Sequence, residues 1–270
     1  MSYHSSNQFK LKLGLQVPIF NNLNEIKNRT PLLPYIIRPL AYESSFNEII
    51  AIEDFVPGRA FAQVYGFIPW GEAKIEHAFF IGNSPNINND PGRGQTGTDS
   101  TNSFLFGGRL GLRYLNLKAG VSATFDKIDL SREAEFLQYP IAGFRRVPRI
   151  RLGADFSFNA SKFSGEAEAS RVTYDDDHPE FDLDKEFYYG TLGYHLTEKM
   201  FVYGSYWATR ENYHPMTDQD IDVFTGGVSL ALFDSLVLKA QYARAEISNS
   251  RQLLHELDLD FYTLALSVVF

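Results

Sequence analysis

The feature that most constrains this chain is a strict alternation of connection lengths between segments of about ten residues. Twelve such segments read as strands: 9–19, 59–69, 73–82, 104–114, 117–126, 149–159, 162–173, 187–196, 200–210, 222–232, 236–246 and 259–270. Long polar stretches at 83–103, 127–148, 174–186, 211–221 and 247–258 alternate with turns of a few residues such as Pro69-Trp70-Gly71-Glu72, Ala160-Ser161 and Phe233-Asp234-Ser235. Roughly ten residues is the length a tilted strand needs to cross a bilayer. Alternation of the joins puts all short turns on one side of a sheet and all long loops on the other, which soluble sandwiches and propellers do not normally do.

Within each segment apolar residues recur with period two. Leu117, Ala119, Val121, Ala123 and Phe125 share one face, as do Ile150, Leu152, Ala154, Phe156 and Phe158, and in the last segment Tyr262, Leu264, Leu266, Val268 and Phe270. Successive side chains of a strand point to opposite faces, so one face is fit for lipid. Aromatic residues make up 15% of the chain while hydrophobic residues reach only 44%, which suits a membrane barrel with Phe and Tyr girdles. No run approaches the roughly 18 consecutive apolar residues of a membrane helix. The expectation is an all-β fold, an antiparallel transmembrane β-barrel with about 12 strands in one domain over residues 1–270, the last strand pairing with the first to close the sheet. The location that follows is a bacterial outer membrane, with membrane lipid and lipopolysaccharide as surroundings.

Composition narrows the function. There is no cysteine, hence no disulfide or thiolate chemistry. A net charge of −8 argues against a nucleic-acid partner. The first eight residues carry neither the basic nor the apolar region of an export signal, so a signal sequence is expected to be missing from this sequence. The stretch 20–58, with Pro31, Pro34, Pro39 and Pro57, cannot run through a ladder as a strand, yet Leu32, Leu33, Tyr35, Ile36, Ile37 and Leu40 must pack on something. Long irregular loops are usually functional. This one is expected to fold into or over the pore mouth, with a short helical turn at 44–50; a cap or oligomer contact is the other reading.

If apolar residues face lipid, the opposite faces line water. Those positions carry Lys10, Lys12, Lys74, Arg109, Arg113, Lys118, Arg149, Arg151 and Lys239 against Glu76, Asp126, Asp155, Glu166 and Glu168. Arg29 and Arg38 join this pore-lining set if the long loop folds inward. Rings of Arg and Lys in a constriction attract anions. Arg244 shares a face with Leu236, Leu238 and Tyr242 and is placed at the membrane interface, whereas His77 and His195 are placed towards the lumen. The acidic run Asp175 to Asp184 lacks the ligand spacing of an EF-hand and reads as a solvated or lipopolysaccharide-bridging loop. Asp177 with His178, or His214, are the nearest candidates for rim catalysis, but no nucleophile motif accompanies them, and the chain reads as a non-enzyme without a cofactor.

Several short runs carry a resemblance: Asn28-Arg29-Thr30-Pro31, Arg38-Pro39, Pro57-Gly58-Arg59, Gln63-Val64-Tyr65-Gly66, Ile81-Gly82-Asn83-Ser84-Pro85-Asn86 and Gly107-Gly108-Arg109-Leu110-Gly111. In this order and spacing the chain resembles outer-membrane porins related to the phosphate-selective porins O and P, mainly over residues 9–125. The resemblance implies a passive channel for small hydrophilic solutes with an anion (phosphate-like) preference, a homotrimer, and a barrel of more strands than twelve, so that amino-terminal strands are expected to be missing here and 9–19 to be an open edge rather than the closing partner of the last strand. A barrel protease or lipase, or a surface-binding β-protein, is the alternative.

Overall fold

The computed structural model describes residues 2–4, 7–24, 33–42, 56–83, 103–130, 135, 141–175, 184–213, 217–249 and 256–268. They form one antiparallel sheet in which every strand pairs with its neighbours in sequence: β1 (Ser2–His4), β2 (Lys10–Gln16), β3 (Ala60–Trp70), β4 (Ala73–Asn83), β5 (Phe104–Tyr114), β6 (Leu117–Ile128), β7 (Val147–Ala160), β8 (Phe163–Tyr174), β9 (Asp184–His195), β10 (Met200–Tyr213), β11 (Thr217–Phe233), β12 (Leu236–Asn249) and β13 (Leu257–Val268). This is the sheet of a transmembrane β-barrel. The twelve segments read from the sequence are β2 to β13, and the short β1 adds one more strand.

Turn chemistry fixes the short-turn end. Gly71, Leu115 and Ser161 each open a two-residue turn at positive φ, 60°, 50° and 55° respectively. Such turns match the right-handed twist of the strands they join. The Cβ of Leu115 and Ser161 makes that conformation costly, and the ladders on both sides hold it. At the opposite end the strands outrun their expected limits. β11 begins at Thr217 and β10 runs to Tyr213, so most of the expected loop 211–221 is ladder, with Arg210 opposite Asp220 and Glu211 opposite Gln219.

The two faces differ as a membrane requires. Phe79, Phe104, Phe106, Leu110, Val121, Phe125, Leu152, Leu192, Phe224, Tyr262 and Leu264 all stand exposed on the outer face, Tyr262 at 81% and Leu264 at 74%. So much large apolar surface is stable only against lipid. Above this belt, towards the long-loop end, the outer face turns ionic. Arg171 pairs with Asp184 at 2.8 Å, Arg210 with Asp222 at 2.6 Å, and Arg244 with Asp258 at 3.0 Å and Glu246 at 3.0 Å. Tyr206 donates to Asp222 and Tyr242 to Asp260, completing an interfacial collar.

The inner face holds the core. Phe20, Leu23, Tyr35, Leu40 and Tyr42 from the stretch between β2 and β3 pack on Leu105, Phe144, Val172, Phe187, Tyr189, Tyr203, Trp207, Ile221 and Val223. Among the described residues the ladder runs from β1 to β13 and no rung joins β13 to β1 or β2. Unpaired backbone is not tolerated in hydrocarbon, so these two edges mark where a closed barrel needs further pairing.

Candidate functional site

The described parts of the segment between β2 and β3 cross the inner wall from one side to the other. The Ile19 amide donates to Gln63 on β3 at 2.9 Å. The Asn21 amide donates to Ser122 Oγ on β6 at 2.9 Å, and the Asn21 side chain donates to Ala169 O and Ser170 Oγ on β8, both at 3.3 Å. Farther along, Ile36 and Ile37 both donate their amides to Gln241 Oε1 on β12, at 2.8 and 2.9 Å, and Gln241 returns a bond to Ile37 O at 3.1 Å. Proline-rich chain lacks ladder partners, so its amides are satisfied by strand side chains instead.

Glu168 on β8 is the principal anchor. It accepts the amides of Asn22 at 2.9 Å and Leu23 at 2.6 Å, and its other oxygen accepts the Tyr42 hydroxyl. One buried carboxylate thereby ties two parts of the segment about twenty residues apart. Next to it Glu166 accepts the Tyr35 hydroxyl, which also lies 2.7 Å from Thr191 Oγ1. Thr191 contacts Ser205 Oγ at 2.7 Å, and Ser205 receives the Trp207 indole N–H at 2.6 Å. Close packing reinforces these bonds. A Cβ built on Gly153 would lie 2.2 Å from Asn21 Oδ1, so only glycine admits Asn21 at that point.

The basic residues read as pore-lining fall into three groups. Arg149 and Arg151 are buried on β7 and share Asp126, Arg149 by paired bonds of 2.9 and 2.6 Å and Arg151 at 3.1 Å. Arg109 is buried on β5 and reaches Asp155 by two bonds of 2.8 and 2.6 Å, with Glu76 at 3.3 Å. Its path is cleared by Gly111 and Gly120, where a Cβ would meet the guanidinium at 2.7 and 2.3 Å. Lys239 is buried too and donates to Leu33 O at 2.6 Å. These four charges hold sheet and segment together.

A second group stays accessible at the short-turn mouth. Lys12 lies 4.9 Å and Lys10 6.0 Å from the centre of the Tyr65 ring, and Lys74 lies 5.0 Å from that of Phe67. Arg113 pairs with Glu76 at 2.7 Å with its side chain 48% exposed, and Lys118 reaches Asn22 Oδ1 at 2.6 Å. In the third group, Arg38 sits partly buried within the segment, and Arg29 lies outside the described residues, as do the helical turn at 44–50, Asp177, His178, His214 and most of the acidic run.

One placement is corrected and one holds. His77 shares the outer face with Phe79 and packs against the Phe9 ring at 5.4 Å, because the lumen face of β4 is carried by Glu76, Ala78 and Phe80. His195 lies on the inner face at the rim of a cavity of 560 Å³, beside Glu166, Thr191 and Lys239 and roofed by Leu33, Pro34 and Tyr35. Sequence reasoning did not single out Glu168, Gln241, Gln63 or Tyr35 as anchors. Alternation puts the three strand residues inside, but nothing in their spacing names a partner more than 40 residues away.

A lipid-facing apolar belt, an ionic collar and a polar inner wall spanned by its own chain define an outer-membrane β-barrel protein. One solved likeness bears on the fold. OmpT of Vibrio cholerae, an outer membrane protein folded in vitro and solved in a trimer form, is similar with a TM-score of 0.56 at 10% identity, over 96% of this chain and 75% of that one. An outer membrane channel from Pseudomonas putida F1 is similar with a TM-score of 0.37 at 11% identity, over 77% of this chain and 82% of that one. No family model and no curated protein matches the sequence. The reading of the chain as a non-enzyme is withdrawn on this comparison: the likeness to OmpT fixes the fold and leaves enzymatic status open.

Proposed function

We propose that this protein is a porin, a passive diffusion channel for small hydrophilic solutes, whose conducting path is narrowed by the segment between β2 and β3. The observation that carries this is the bridging of the inner wall by that segment, from Gln63 on β3 to Gln241 on β12, beside an accessible basic wall on β2 to β6. A narrowed, polar, charge-lined lumen is what discriminates among solutes. The accessible wall carries Lys10, Lys12, Lys74, Arg113 and Lys118 against Glu76, which favours anions, phosphate-like ones included. The buried Arg109, Arg149 and Arg151 contribute less to that preference, since they are bonded to Asp155 and Asp126 and withdrawn from water.

The kinship proposed is with porins related to the phosphate-selective porins O and P. With it go a single barrel domain over residues 1–270, a homotrimeric assembly, and contact of the ionic collar with lipopolysaccharide. The test is single-channel recording of the detergent-refolded chain in a planar bilayer under a salt gradient. Stable steps with a reversal potential on the anion side support the reading; a folded, inserted chain without steps contradicts it. Native mass spectrometry in detergent decides the trimer.

A further inference from the structure

One rung of the ladder crosses the inner wall at the short-turn mouth. Its register sets Lys74, Arg113 and Lys118 directly opposite one another on β4, β5 and β6, then continues through Ser157 on β7 to Glu166 on β8 and Thr191 on β9. Like charges directly opposite destabilise a sheet. Here three stand in a row, and two of them share one carboxylate, Glu76, which lies 2.7 Å from Arg113 and 3.5 Å from Lys118 and also takes Arg109 at 3.3 Å. Among the described residues no ion pair reaches Lys74.

The other end of the rung is the electrical opposite. Glu166 lines the 560 Å³ cavity with Asn22, Ser157 and Thr191; Lys199 and Lys239 belong to the same lining, Lys239 donating to Leu33 O at 2.6 Å, and among the described residues neither forms an ion pair with Glu166. It accepts the Tyr35 hydroxyl, and among the described residues no cation pairs with it. A surplus of positive charge and an uncompensated carboxylate thus occupy one rung, separated by the hydroxyl of Ser157. Neighbouring strands are about 4.8 Å apart, so Lys118 and Glu166 stand roughly 10 Å apart at the backbone. An extended peptide rises at most about 3.5 Å per residue, so two or three residues span that distance.

We infer that this rung is a binding site for short zwitterionic peptides of two or three residues, the carboxylate held by Lys74, Arg113 and Lys118 and the ammonium by Glu166. The inference rests on the channel reading, for it names a solute class at the mouth of the proposed path. An anion alone satisfies only the basic end and leaves Glu166 uncompensated. A zwitterion satisfies both.

The probe is trialanine, with N-acetyl-trialanine and trialanine amide as its singly charged forms, measured by equilibrium dialysis against the refolded full chain in detergent. Free trialanine is expected to bind at least tenfold more tightly than either blocked form. Glu166→Gln, which keeps an oxygen for Tyr35, abolishes the advantage over the acetylated peptide. Arg113→Gln with Lys118→Gln abolishes the advantage over the amide; circular dichroism and heat-modifiable migration confirm that each variant is folded. Equal binding of the acetylated and free peptides overturns the inference, as does absence of binding at millimolar peptide. Dialysis needs no conduction, so a chain that conducts without binding refutes the site alone, and one that binds without conducting refutes the channel reading and supports the site.

Discussion

Two stretches of the inner wall carry the same residue types and use them differently. Under the segment, Arg149 and Arg151 are at most 1% exposed and converge on Asp126, and Glu168 spends both oxygens on the segment. At the short-turn mouth Arg113 is 48% exposed and shares Glu76 with two other cations. The first stretch is a fastening and the second faces water. Position on the lumen face therefore does not make a residue part of the solute path: depth beneath the inserted segment decides it.

The largest effect that sharpens this contrast is on stability. Asp126→Asn removes the charge that Arg149 and Arg151 share, and breaking a buried pair costs about 3 to 5 kcal/mol. A lowered urea midpoint for refolded protein in detergent is the expected readout, whereas Glu76→Gln lowers it far less because Arg113 and Lys118 keep access to water and the buried Arg109 keeps its two bonds to Asp155. Equal losses for the two variants break the distinction. Next comes the fit of the segment. Gly153→Val places methyl groups where Asn21 sits, an overpacking worth roughly 1 to 3 kcal/mol, and is expected to raise single-channel conductance and expose the segment to protease.

A smaller effect separates path from fastening directly. Arg113→Gln is expected to move the reversal potential under a salt gradient towards cations, and Arg149→Gln to move it less even though it destabilises the fold more. The reverse order refutes the assignment of the accessible wall. Smallest of all is the outer collar. Arg244 is exposed and pairs with Asp258 and Glu246 in a high-dielectric zone, where ion pairs contribute little. Arg244→Ala is expected to leave both conductance and unfolding midpoint unchanged.

Much of this was legible in the sequence, and the reason is period two. A strand between lipid and lumen must alternate, so β4 to β13 and their outward residues follow from the positions of Phe79, Val121, Leu152 and Leu264. Residues 217–221 read as loop because Asp218, Gln219 and Asp220 break the apolar pattern. The ladder continues there because the strand has left the hydrocarbon, where Asp220 and Asp222 flank Arg210. The site was legible only by face. Lys10, Lys74, Arg109, Arg113 and Arg149 all belong inside, yet which of them the segment covers depends on Glu168 meeting Leu23 across 145 positions. Tyr35 and Leu40 announced that the proline-rich stretch packs on something; the identity of that surface is a property of the whole sheet, which no local pattern encodes.

The most direct test of the account is single-channel conductance of the wild-type chain and Glu168→Ala, recorded side by side in planar bilayers. Losing that carboxylate leaves the amides of Asn22 and Leu23 and the Tyr42 hydroxyl without their acceptor, weakening the anchorage by roughly 3 kcal/mol. The account predicts small steady steps for the wild type and larger, noisier steps for the variant as the segment leaves the wall. Identical steps from a folded variant would contradict it, because the segment would then not lie in the path at all.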